Sequence, residues 1–96
     1  MNENVLEEKK DRFVEVSIVT TSGSYPGNGF DRVPAHQKIH IQLDQAAKDL
    51  KIADTRGWLA TVNGRELNIN ASYLENGLED QIEIDFGPRE GGGGYA

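Results

Sequence analysis

"GWLATVNGRELNINASYLENGLEDQIEIDF", Gly57 to Phe86, is the stretch that decides how this chain folds. Asn63-Gly64 sits between apolar-rich runs and suits a type I′ turn, where both central residues take positive φ. A hairpin is therefore expected over "GWLATVNGRELNI", with Trp58 as a packing residue at its first strand. "ASYLENGLED" has room for a single helical turn, with Gly77 as its C-terminal cap. "QIEIDF" alternates Ile82, Ile84 and Phe86 against Glu83 and Asp85, the period of a half-buried strand. Gly87 and Pro88 are expected to end its ladder, since proline has no N–H to donate.

Upstream the period changes. In "KIHIQLDQAAKDLKI", Ile39, Leu43, Ala46, Ala47 and Leu50 fall on one helical stripe, and Lys48, Asp49 and Lys51 project from the other side. No Ser, Thr, Asp or Asn stands before Ile39, so the helix start carries no side-chain cap signal. Earlier still, "FVEVSIVTT" sets Val14, Val16 and Ile18 against Glu15, Ser17 and Val19, a first strand. "SGSYPGNGF" reads as a turn, and Phe30 to Ala35 as a second strand running back antiparallel. Two hairpins separated by one helix predict an α+β arrangement, the sheet laying its apolar face on the Ile39–Leu50 stripe. The expected core is Val14, Val16, Ile18, Ile39, Leu43, Leu50, Val62, Leu67, Ile82 and Ile84.

Composition sets the outer bounds. Ninety-six residues make one small domain, and the absence of cysteine excludes disulfides, thiolate metal sites and a cysteine nucleophile. A net charge of −6 argues against nucleic acid as a partner and for steering toward basic protein surfaces. No apolar run reaches the length of a membrane span and the N-terminus lacks a signal-peptide core, so a cytoplasmic location is expected. Residues 1–12 read as a disordered arm, 13–88 as the folded domain and 89–96 as a flexible glycine-rich tail. His36 and His40, four apart, read as surface histidines and not as a metal pair. The carboxylates are spread along exposed faces with no general acid/base pair, so no catalytic residue and no cofactor is assigned to the chain.

The order strand, strand, helix, strand, strand, helical turn, strand, running into glycines, resembles the β-grasp fold of ubiquitin and its relatives. "LATVNGREL" resembles ubiquitin's third-strand hairpin, "ASYLENGLEDQIEIDF" its short helical turn and final strand, and the tail from Arg89 its arginine-bearing glycine end. The sequence is most similar to the small ubiquitin-like proteins of bacterial conjugation-type operons. The resemblance implies a mixed sheet packed on one central helix. It also implies a protein modifier whose partners are an activating enzyme, a conjugating enzyme, a processing peptidase and target proteins. It departs from ubiquitin on the outer sheet face, where Thr61, Glu83 and Asp85 stand at positions that are apolar there. Receptors seeking an apolar patch would bury those carboxylates unpaired.

The resemblance makes the α-carboxylate of a C-terminal glycine the reactive group, Gly94 or alternatively Gly92. It is adenylated with ATP and magnesium on the activating enzyme and passed to a target amine or hydroxyl. Arg89, Gly91, Gly92 and Gly93 would be the recognised tail, and Tyr95-Ala96 a propeptide removed beforehand. Gly87 to Gly94 extended reach at most about 26–29 Å, enough to enter a buried site from a docked face. Ordering the four glycines costs roughly 4–8 kcal/mol, so the folded face and Arg89 must anchor them. Lys9 and Lys10 on the arm are candidate self-acceptors. Two other readings stand beside this one: a sulfur carrier with a terminal thiocarboxylate, and a non-conjugating β-grasp interaction module capable of self-association through exposed strand edges.

Overall fold

The computed structural model describes residues 12–88. The elements are β1 (Phe13–Thr20), β2 (Gly23–Tyr25), β3 (Asp31–Pro34), helix α1 (Ile39–Asp49), β4 (Trp58–Val62), β5 (Arg65–Glu66) and β6 (Gln81–Pro88). The strands form one mixed sheet in the order β2-β1-β6-β4-β5, with β3 also on β1. β6 lies in the centre, parallel to β1 and antiparallel to β4. The described residues make an α+β fold with a mixed sheet and one helix.

Val14, Val16 and Ile18 from β1, Ile82, Ile84 and Phe86 from β6, and Ile39, Leu43 and Ala46 from α1 form a single buried core. Of the expected core, Leu50 and Val62 are only half-buried, because Leu50 caps the helix and Val62 stands at the mouth of the hairpin. Ala47 on the predicted stripe is likewise half-buried. Tyr73 is fully buried and was not part of that expected core, nor were Val33, Ala35 and Leu78.

Three local expectations need correction. The segment read as one turn, 22–30, contains β2, whose Gly23, Ser24 and Tyr25 pair with Thr20, Val19 and Ile18. The reversal is the tighter Thr21-Ser22 turn, fastened by Thr20 Oγ1 donating to Gly23 O at 2.8 Å and accepting from Ser22 N. The second strand is shorter than expected, Asp31–Pro34, and leaves Phe30 exposed. The final ladder does not stop at Phe86: Gly87 lies opposite Leu59 and Pro88 opposite Trp58. Pairing with β1 ends at Asp85, so Pro88 sits where β6 has one neighbour and its missing N–H breaks no second ladder.

The uncapped helix start has a physical explanation. Ile39 N–H donates to Ala71 O at 3.0 Å and His40 N–H to Ile69 O at 2.9 Å. Carbonyls from a distant loop satisfy the orphan donors that a side chain would otherwise serve. At the other end, Ile52 N–H donates to Ala47 O and Lys51 N–H to Lys48 O, a Schellman closure with Lys51 at φ 59°.

The Asn63-Gly64 turn is as expected, with φ of 52° and 84°. The single turn at Ser72–Gly77 is closed at both ends. Ser72 N–H donates to Glu75 Oε1 and Glu75 N–H to Ser72 Oγ, a reciprocal capping box. Leu78 N–H donates to Tyr73 O and Gly77 N–H to Leu74 O, with Gly77 at φ 75°.

Candidate functional site

Every residue that the sequence assigns to the tail or its acceptors lies outside the described residues: Arg89, Gly91, Gly92, Gly93, Gly94, Tyr95 and Ala96 at one end, Lys9 and Lys10 at the other. The described part is the platform from which the tail departs. Its last residue, Pro88, is held in the sheet opposite Trp58, and the Trp58 ring meets Phe86 edge-on with centroids 5.0 Å apart. The tail therefore leaves from the end of the central strand.

The outer sheet face beside that exit carries carboxylates, with Leu59 and Val19 half-buried on the same face. Thr61 and Asp85 are register partners across β4 and β6, and Glu83 follows two residues along the same face. The structure thus brings together the three positions the sequence singled out, with Glu83 and Asp85 exposed and Thr61 half-buried. Ser17 and Val19 of β1 stand beside Glu83 and Asp85. At the far end of the face, Gln81 Nε2 donates to Glu15 Oε1 at 3.0 Å across the parallel pair.

The remaining candidates form no shared centre. His36 is exposed, and His40 Nδ1 lies 3.3 Å from Asp44 Oδ2 one helical turn on. Among the described residues no group of three or more His, Cys, Asp or Glu side chains is placed to hold a metal ion. Among the described residues no helix is long and apolar enough to cross a membrane.

Two features escape the sequence. Phe13 is exposed on the first strand and carries the Arg32 guanidinium 4.5 Å over its ring, a diagonal cross-strand neighbour two positions from Phe13's partner Pro34. Their spacing was visible only once the pairing of β1 with β3 was known. The second is a buried polar corner. Gln42 Nε2 donates to Asp31 Oδ2 at 2.6 Å, tying α1 to β3, and the buried Tyr73 hydroxyl has no hydrogen-bond partner among the described residues. Burial, with the Asp31 charge adding to it, pushes the Tyr73 phenol well above its ordinary range.

No protein-family model matches the chain, and no curated protein matches it. Solved structures do. A protein designed on ubiquitin superposes with a TM-score of 0.62 at 19% identity, covering 88% of this chain and 99% of that one. An N-terminal ubiquitin-like domain solved in solution gives 0.60 at 15% identity, covering 88% and 83%. The ubiquitin of Caldiarchaeum subterraneum gives 0.51 at 17% identity, covering 84% and 99%. With the central β6 and the mixed sheet packed on α1, the chain has the ubiquitin-like β-grasp fold.

Proposed function

We propose that this protein is a ubiquitin-like modifier of the bacterial conjugation type, acting in the cytoplasm and joined to target proteins through the carboxylate of Gly94. The observation that carries the reading is the position of Pro88, paired with Trp58 at the end of the central strand. The next residues in the chain are Arg89, Glu90 and then the glycine run. A rigid strand thus delivers the chain directly into a segment whose missing Cβ atoms suit a narrow channel.

In this reading the chain is the transferred group, and catalysis belongs to its partners. A peptidase hydrolyses the Gly94–Tyr95 amide, freeing the glycine carboxylate. The activating enzyme joins that carboxylate to AMP with release of pyrophosphate from ATP. A conjugating enzyme's nucleophile then displaces AMP, and a target amine or hydroxyl completes the transfer. The outer face of Thr61, Glu83 and Asp85 favours basic partner surfaces over receptors built for an apolar patch. A sulfur carrier would use the same adenylate, but the residues after Gly94 would obstruct its terminus as well.

The test compares the full chain with residues 1–94, each incubated with the cognate activating enzyme and ATP. The shorter form alone should give an adenylate or covalent adduct, and Gly94→Ala should impair it. Equal reaction of the full chain contradicts the trimming step.

A further inference from the structure

The two neighbours of β6 lie at different heights. β1 runs beside Gln81–Asp85, whereas β4 reaches only from Pro88 back to Asp85, opposite Thr61. Beyond Thr61 the chain turns away through Asn63-Gly64 to pair with itself as β5. Successive residues of a strand direct their backbone N–H and C=O to opposite sides. Asp80 O accepts Glu15 N–H at 2.8 Å, so even-numbered residues here address β1. Gln81 and Glu83 therefore direct both backbone groups to the opposite side, where no described backbone group bonds to them.

This gap opens into a cleft of about 500 Å³. Its walls carry the apolar side chains of Val62, Leu78 and Ile82 and the carboxylates of Glu79, Glu83 and Asp85, with no basic residue among them. A strand edge with free donors and acceptors is a template for one more strand.

We propose that the open edge of β6 at Gln81–Glu83 is a docking site for a short extended peptide of alternating basic and apolar residues, which adds to the sheet as a strand. Gln81 and Glu83 stand about 7 Å apart along the strand, the spacing of alternate residues in an added segment. Main-chain bonds to these two residues supply the affinity, and alternation supplies the selectivity. Side chains on the outer face of the added strand meet Glu83 and Asp85, and those on the inner face meet Val62 and Leu78. A second copy of this chain offering its own β6 edge would set carboxylates against carboxylates, which disfavours self-pairing there. The site is built from β6 and its neighbours and does not depend on conjugation.

The test titrates the isotope-labelled full chain with an acetylated, amidated Arg-Val-Lys-Ile-Arg peptide, read by amide NMR. The Gln81 and Glu83 amides should shift and gain exchange protection, and binding should weaken with salt. Glu83→Lys with Asp85→Lys should weaken binding at least about tenfold, equivalent to ~1.4 kcal/mol. Glu83→Pro removes the outward N–H while leaving the β1 side of the ladder, and should weaken binding comparably with the thermal midpoint confirming the fold. Should that variant fail to fold, a peptide N-methylated at alternate residues makes the same test from the other partner and should not bind. Equal binding of the N-methylated peptide, absence of shifts at Gln81 and Glu83, or a peptide-free concentration dependence of those shifts overturns the proposal.

Discussion

Pro88 lies opposite Trp58 at the end of the β4–β6 ladder, and Trp58 in turn packs edge-on against Phe86. A half-buried indole thus braces the end of the central strand. An aromatic pair of this geometry contributes about 0.5–1.5 kcal/mol beyond its buried area. Trp58→Ala should destabilise by about 2–4 kcal/mol, below the full cost of a wholly buried tryptophan. Amide exchange at Leu59 and Gly87 should rise more than at Val16 or Ile82, and uniform loss of protection would count against a local anchor.

Leu43 is buried in the core, whereas Ile41, two residues before it on the same helix, is 41% exposed. Leu43→Ala should cost about 2–5 kcal/mol. Ile41→Ala should change the denaturation midpoint by no more than about 0.5 kcal/mol of stability. Similar losses for both would break the orientation of α1.

Much of this was legible in sequence because local rules and tertiary structure agree. The Asn63-Gly64 pair needs positive φ, and the structure supplies it. The Val14, Val16, Ile18 and Ile82, Ile84, Phe86 alternations survive because each strand has one face on the helix. β2 was hidden by the glycines and proline around Tyr25, whose turn chemistry masks a three-residue strand. Tyr73 was hidden among polar neighbours, since its burial comes from the capped turn at Ser72–Gly77. The open edge at Gln81 and Glu83 depends on where β4 stops pairing, a question of register that no side-chain pattern in β6 records. The tail residues, legible only through resemblance, lie outside the described residues.

Two left-handed positions should respond with opposite signs. Lys51 closes the helix at φ 59°, where a side chain costs roughly 1–2 kcal/mol, so Lys51→Gly should stabilise. Gly77 has φ 75° and open space where a Cβ would stand, so Gly77→Ala should destabilise through backbone strain alone, by roughly 1–2 kcal/mol. Chemical denaturation of both variants checks the pair, and like signs would contradict the turn geometry.

Tyr73 carries a pH signature. Burial raises its folded phenol above the ordinary value of 10.0. The unfolded chain therefore ionises first on going alkaline, and the folded state binds more protons between the two values. Stability from this group is complete below pH 10.0 and falls as pH rises from there toward the folded value. Tyr73→Phe should remove that alkaline loss. At neutral pH it should be neutral or stabilising by up to about 1 kcal/mol, because the buried hydroxyl has no partner among the described residues. An unchanged alkaline slope in the variant would place the effect elsewhere.

The central claim is that Gly94 becomes the joined terminus, and the mass of a conjugate tests it most directly. Conjugates formed in cells expressing the full chain with its partner enzymes should be purified and digested. The bridging peptide is predicted to end at Gly94, linked to a target side chain, with Tyr95-Ala96 absent. A bridge retaining Tyr95-Ala96, or one ending at a residue outside the glycine run, would contradict the account.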